Sequence, residues 1–281
     1  MKIAVVGLGL IGGSFCKAIK KYTDHQVLGC DVNPSAIAQA LKQGAIDEAI
    51  DADGVARADM TLVCLYPRET VAFMATAPFR RGTIAVDICG VKAYVVDRLG
   101  QPLFERGVRY VPSHPMAGRE FSGFAYSTAD LYQHASYIVT PTERTDRDAL
   151  HTVTALARQL GFDNIAVSTP KAHDQSIAFT SQLAHVVSSA YIKSPTLFHE
   201  QGFSAGSFQD LTRVAKLNEG MWSDLFLFNQ EPLLYEIDTI MEHLTQYRDA
   251  LAAGDKAALQ SLLKEGRVLK ELSLMGENRE D

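Results

Sequence analysis

Gly7-Leu8-Gly9-Leu10-Ile11-Gly12 lies between an apolar run of strand length, Lys2 to Gly7, and an amphipathic stretch, Ile11 to Lys21. Three glycines at this spacing between strand and helix admit few folds. The first makes a tight turn, the second lets backbone approach a pyrophosphate, and the third lets the helix pack closely on the strand. The helix N-terminus adds N–H donors and positive potential, so Leu10 and Ile11 join Gly7, Gly9 and Gly12 as expected dinucleotide contacts. Asp31 ends the next apolar run, on the order of 20 residues past the last glycine, where a carboxylate accepts hydrogen bonds from the adenosine ribose hydroxyls. A 2′-phosphate would face that carboxylate, so the expected cofactor is NAD rather than NADP.

The alternation continues along the chain. Val27 to Asp31, Met60 to Leu65, Thr83 to Asp87, Arg109 to Ser113 and Ser136 to Thr140 are Val/Ile/Leu-rich runs, separated by helical patterns such as Pro34 to Gln43, which Asn33 opens and Gly44 closes. Continuous apolar strands between helices predict a parallel sheet covered on both faces. A helix over about Asp146 to Leu160 and a strand over Asn164 to Val167 complete this part before the break at Ser168-Thr169-Pro170. Strand signals then stop. The expected fold is α/β: an N-terminal Rossmann-like doubly wound domain over 1–168, followed by an all-helical C-terminal domain over 169–281.

In the second half Ile237, Ile240, Met241, Leu244, Tyr247 and Leu251 form a helical stripe, Asp255 caps a last short helix ending near Gly266, and Gly276 to Asp281 form a polar tail expected to fray. The apolar surplus of this half, which includes Leu225, Phe226 and Phe228, predicts a homodimer joined through it.

Lys plus Arg number 27 against 33 for Asp plus Glu, a formal net charge of -6, and no basic cluster is present to neutralise a phosphate backbone. Nucleic acid is therefore not an expected partner. No apolar run approaches the roughly 20 residues of a membrane span, and the apolar N-terminus lacks a small-residue cleavage site, so a cytoplasmic location without membrane contact is expected. Cys16, Cys30, Cys64 and Cys89 show no CxxC spacing and read as buried reduced thiols, with no metal site expected.

The run from Arg109 leads into Val111-Pro112-Ser113-His114-Pro115-Met116-Ala117-Gly118. A histidine between two prolines is fixed in direction and is expected to continue neither strand nor helix, and strand ends are where ligands gather in open α/β sheets. On spacing alone, a loop histidine with satisfied ring nitrogens fits His114 equally well.

The glycine fingerprint, Ser113 to Gly118 with Glu120 soon after, T-P-x-x-x-D-Q at Thr169 to Gln175, Gln182-Leu183-Ala184-His185, and Gly206 to Arg213 followed by Met221-Trp222 together resemble the prephenate/arogenate dehydrogenase family. The resemblance spans nearly the whole chain. It implies an NAD-dependent oxidative decarboxylation of tyrosine biosynthesis, in which a cyclohexadienol loses hydride from C4 and its ring carboxylate as CO2 while the C4 hydroxyl becomes a carbonyl. It implies that His114 hydrogen-bonds that hydroxyl and accepts its proton, a task suited to neutral imidazole near pH 7. It further implies that Arg213 holds a substrate carboxylate with its planar fork of donors, and that His185 and Glu120 lie at the substrate. A surface or helix-capping role is the other reading of Arg213, and a buried helix-face histidine that of His185. His173 and Asp174 are expected to cap and pin the helix that enters the second domain.

Two departures from the family pattern stand out. Many relatives carry Ser where Asp87-Ile88-Cys89-Gly90-Val91-Lys92 has Gly90, so the hydroxyl that lies near nicotinamide and catalytic His in those relatives is missing here. Where many relatives read S-H-L-P-H, this chain reads Gln182-Leu183-Ala184-His185, and loss of the proline predicts an uninterrupted helix. Prephenate is the expected small-molecule substrate and arogenate the alternative. More remotely, a β-hydroxyacid dehydrogenase would share the architecture but use a catalytic Lys in the region of Gln182 and His185. A nucleotide sensor without catalysis would need neither His114 nor Arg213.

Overall fold

The structure, a computed structural model, describes residues 1–119, 121–200 and 202–277. It divides into two compact units, one over Met1–Gln230 and one from Glu231 onward.

The first unit opens with β1 (Lys2–Val6), α1 (Leu10–Tyr22), β2 (Gln26–Cys30), α2 (Pro34–Lys42), β3 (Glu48–Ala49), β4 (Met60–Val63), α3 (Pro67–Thr76), β5 (Ile84–Asp87), α4 (Ala93–Glu105) and β6 (Arg109–Pro115). It continues with β7 (Ser136–Val139), α5 (Arg147–Gln159) and β8 (Asn164–Val167). The strands form one sheet in the order β3-β2-β1-β4-β5-β6-β7-β8. Alternate residues divide the core between its faces. Ile3, Val5, Met60, Leu62, Ile84 and Val86 pack with Phe15, Ile19, Val153 and Leu156 on one face. Ala4, Val6, Val63 and Ala85 pack with Met74, Leu99 and Leu103 on the other.

Two details correct the sequence reading. The sheet is parallel except between β6 and β7, which pair antiparallel with His114 opposite Ile138. Among the described residues the connection from β6 to β7 contains only the short 3-10 turn Phe124–Tyr126, and without a crossover helix to carry it along the sheet face the chain doubles back. In addition, β6 continues through His114 to Pro115 instead of ending before the histidine. Pro112 serves as an acceptor from Thr140 N (3.0 Å), and Pro115 lies past the last β5 pairing, Asp87 with Pro112, so neither ring breaks the strand.

Beyond the sheet lie α6 (Pro170–Ile177), α7 (Ala184–Tyr191), α8 (Gly206–Thr212) and α9 (Glu219–Phe228). Thr169 caps α6, its side chain accepting from Ala172 N at 3.2 Å. Between α6 and α7 the helix is continuous, as the missing proline predicts, and widens into a π turn over Ala178–Leu183. Gln182, buried in that turn, donates to Leu225 O (3.1 Å) and accepts from Asn229 Nδ2 (2.8 Å), anchoring the turn to α9 and to the residue that follows it.

The second unit holds most of α10 (Gln230–Ala252) and α11 (Lys256–Glu277), joined by a turn in which Gly254 takes a φ of 63°. The last helix is thus not short. One interior glycine, Gly266, costs about 1 kcal/mol relative to alanine, too little to stop a helix that the Arg267–Glu271 pair continues to support at 2.5 Å. Of the expected frayed tail, residues 278–281 lie outside the described residues. Among the described residues no helix is long and apolar enough to cross a membrane. The four cysteines are free thiols, Cys16 and Cys89 buried and Cys30 and Cys64 partly so, and burial pushes the Cys89 thiol up to about 12.

At the carboxyl ends of β5 and β6 the side chains of Asp87 and Lys92 form an ion pair with no solvent exposure. Lys92 Nζ also donates to Ser113 O (2.5 Å), while Asp87 accepts from Tyr110 Oη (2.6 Å) and Cys89 N (3.0 Å). Every partner is supplied, which is what a charge pair in such surroundings requires. Lys92→Met would leave the Asp87 carboxylate buried without its cation and is expected to lower unfolding free energy by about 3–5 kcal/mol. Urea denaturation measures this, and a loss under about 1 kcal/mol would mean that the pair does not hold these strand ends.

Candidate active site

The glycine turn follows β1 at the carboxyl edge of the sheet. Gly7 has a φ of 88°, and a Cβ there would lie 2.5 Å from Cys64 O. A Cβ on Gly12 would lie 1.8 Å from Gly7 O, so only glycine lets α1 approach the turn this closely. Beside Gly9 there is open space: a Cβ would meet nothing within 4 Å. The N-terminus of α1 has no side-chain cap at Gly9 and no acidic residue in its first turn. Leu10 and Ile11 stand in that first turn.

Asp31 follows β2 and ties its end to the turn, Oδ2 accepting from Leu8 N (2.5 Å) and Oδ1 from Asn33 N (2.7 Å). Each carboxylate oxygen carries two lone pairs, so these bonds leave acceptor capacity for ribose hydroxyls. Open backbone, an uncapped helix N-terminus and a neighbouring carboxylate fit a dinucleotide.

His114 stands near the end of β6, half-buried, beside Gly90 in the loop after β5. A Cβ on Gly90 would lie 3.6 Å from His114 Nε2 and 3.9 Å from Leu225 Cδ2 of α9. That is ordinary contact, so glycine is not sterically required, and the Nε2 side of the ring faces a backbone position without a side chain. On the other side, Nδ1 lies 2.9 Å from Nε2 of His173, whose Nδ1 lies 2.7 Å from Asp174 Oδ1. Asp174 in turn accepts from Lys92 N and Ala93 N, both at 2.8 Å. Burial first, then the neighbouring His173 and Lys92, holds His114 well below the ordinary histidine value. Burial likewise lowers His173, against the opposing pull of Asp174.

His173 and Asp174 therefore do not cap α6 as expected. Thr169 caps α6, whereas Asp174 pins the start of α4 and His173 reaches His114. The adjacent His-Asp pair was visible in the sequence, but its distance from His114 along the chain concealed the contact. Lys92 and Asp87 were equally concealed: five residues apart, they signal nothing until the loop between them folds back.

His185 lies on α7, its Nδ1 donating to Ser181 O (2.8 Å) and its ring stacked on Trp222 of α9 at 3.8 Å. Trp222 and Leu225 are three residues apart on α9, roughly 4.5 Å of helical rise. One turn of α9 thus spans from His185 to the Gly90 and His114 pair. Arg213 is exposed on the 3-10 turn Arg213–Ala215, which packs against α7. Glu120 lies outside the described residues. Among the described residues no group of three or more His, Cys, Asp or Glu side chains is placed to hold a metal.

Residues 15–165 match the family described as "Prephenate dehydrogenase, nucleotide-binding domain", and residues 169–265 match "Prephenate dehydrogenase, dimerization domain". The chain is 30% identical over 280 residues to prephenate dehydrogenase of Bacillus subtilis, covering 96% of this chain and 75% of that protein. It is 32% identical to cyclohexadienyl dehydrogenase of Zymomonas mobilis, covering 94% and 93%. Its structure resembles prephenate dehydrogenase from A. aeolicus in complex with hydroxyphenyl propionate and NAD+, with a TM-score of 0.87, 28% identity and 98% of each chain covered. On these matches, which together run almost from end to end, the chain belongs to the prephenate dehydrogenase family.

Proposed function

We propose that this protein oxidatively decarboxylates prephenate to 4-hydroxyphenylpyruvate in an NAD-dependent reaction, with His114 as the proton acceptor. The observation that carries this reading is His114 at the carboxyl edge of the sheet, one ring nitrogen tied to His173 and the other facing Gly90. NAD+ held by Gly7, Gly9, Leu10, Ile11, Gly12 and Asp31 would supply the hydride acceptor. Its presence in the A. aeolicus relative supports that assignment. His114 Nε2 takes the proton of the C4 hydroxyl, and the O–H electrons become the new carbonyl bond as the C4 hydride leaves. The ring carboxylate departs as CO2, its bonding pair moves into the ring, the carbonyl π pair returns to oxygen, which takes up a proton to become the phenol hydroxyl, and aromatisation drives the step. Arg213 holds a substrate carboxylate by a two-pronged contact, and His185, stacked on Trp222, borders the substrate; Glu120 belongs to the same proposed set.

Arogenate is the second reading, kept by the cyclohexadienyl dehydrogenase relative and by the likeness to Synechocystis arogenate dehydrogenase, 26% identical with a TM-score of 0.82. The β-hydroxyacid dehydrogenase alternative gives way because the chain belongs to another family. We further infer a homodimer, since the matched dimerization domain covers 169–265 and Leu234, Met241, Leu244, Leu251, Leu269 and Leu272 of α10 and α11 are exposed. Light scattering at micromolar concentration is expected to give twice the chain mass of 30.8 kDa, and a single-chain mass would refute the dimer.

NADH formation from prephenate and from arogenate in parallel, with NADP+ as control, tests the activity and decides the substrate. With prephenate, His114→Asn is expected to lower kcat by about 10²-fold or more while KM changes less than about threefold, whereas Arg213→Gln mainly raises KM. An unchanged kcat in the first variant would remove His114 from proton transfer.

The surroundings of His114 set the pH response. Lys92, Asp87, His173, Asp174 and Tyr110 are the titratable groups of this network, and the net effect on His114 is a value below 6.5. The base is then neutral throughout the range above 6.5, and protonation removes it only as pH falls through the lowered value. The acid limb of kcat/KM should therefore lie below 6.5, and a limb at or above about pH 7 would contradict the assignment.

A further inference from the structure

The contacts around Asp174 have a directional order. Asp174 is buried, and its carboxylate receives three N–H groups: Lys92 N on Oδ1 and Ala93 N on Oδ2, both at 2.8 Å, and His173 Nδ1 on Oδ1 at 2.7 Å. The two backbone groups can only donate, so the carboxylate is fixed as an acceptor. His173 Nδ1 must then carry hydrogen to bond with it. In a neutral ring that leaves His173 Nε2 bare, and it faces His114 Nδ1 at 2.9 Å. A bare nitrogen accepts, so His114 Nδ1 must carry the hydrogen there. The neutral His114 ring consequently has its lone pair on Nε2, facing Gly90. Burial and the nearby Lys92 ammonium favour the neutral form of His173 that this order requires.

We propose that His173, held by Asp174, is a positioning residue that locks His114 in the Nδ1–H tautomer with Nε2 as the acceptor, doing from behind the ring the orienting task for which Gly90 offers no hydroxyl. The proposal rests on the reading of His114 as the proton acceptor. Three chain segments carry it: α6 brings His173 and Asp174, β6 brings His114, and the start of α4 supplies the N–H groups that orient the carboxylate. The first link is built into the fold, because the α4 N-terminus has no side-chain cap of its own and takes Asp174 instead.

Nitrogen-15 NMR of the full-length protein labelled at histidine, with the His114 signals assigned by their loss in His114→Asn, reads the tautomer directly and needs no turnover. At about pH 8 the wild type should show a protonated Nδ1 and a bare Nε2. In His173→Leu, Nδ1 has no acceptor and the ring should shift toward a mixture of tautomers. Kinetically, His173→Leu should lower kcat about tenfold or more with KM within about twofold. His173→Gln can place an amide oxygen where Nε2 stood and should recover most of the loss. An Nε2–H tautomer in the wild type, an unchanged tautomer in His173→Leu, or equal kcat in the wild type and both variants would overturn the proposal. If His173→Leu does not fold, the wild-type tautomer and His173→Gln still decide it. If wild-type protein turns over neither dienol, the proposed function fails while the tautomer measurement stands by itself.

Discussion

The buried Asp87–Lys92 ion pair is the contact on which the site depends. Two charges without solvent exposure persist only if every polar atom around them is answered, and here the answers come from separate segments: Tyr110 and Ser113 of β6, and Cys89 of the loop after β5. The pair therefore fixes the carboxyl ends of β5 and β6 side by side. The same loop positions the backbone N–H groups of Lys92 and Ala93 for Asp174, and through Asp174 the position of His173. A charge pair that contributes little net stability can still impose one geometry, since departures from it strand a charge in apolar surroundings. In this protein the contacts that follow lead from Lys92 N through Asp174 and His173 to the Nδ1 side of His114.

The dinucleotide end of the site uses a different kind of constraint. There the backbone itself forms the surface, and side chains are excluded: Gly12 because α1 and the turn nearly touch, and Gly7 because of its left-handed φ and the nearby Cys64 carbonyl. Asp31 then bonds Leu8 N and joins the second strand to the first turn. One half of the site is thus made by omitting side chains and the other by saturating them with partners. Both lie at the carboxyl edge of one sheet, where the two kinds of surface can meet a single pair of reactants.

Much of this was legible in the sequence wherever the signal is local. The glycine spacing announced the turn, the apolar runs announced most of the strands, and Asp31 stood at the expected distance. What escaped notice depends on chain direction or on distant partners. The antiparallel return of β7, the continuation of β6 through His114 to Pro115, and the π turn at Ala178–Leu183 depend on which carbonyls and donors lie across from a segment, not on its own composition. In the last helix Gly266 looks like a stop, yet one glycine costs less than the helix around it supplies.

The sequence by itself determined the glycine turn and most of the strands and helices that follow it. Periodicity and glycine geometry are properties of neighbours along the chain, and a histidine is recognisable as a base wherever it stands. Tertiary structure alone decided which nitrogen of His114 faces Gly90, what lies behind the ring, and that His185 meets Trp222 one turn of α9 away from Leu225. The protonation and direction of an imidazole are set by the groups within hydrogen-bond reach, and those groups come from residues tens of positions apart that only the folded chain brings together.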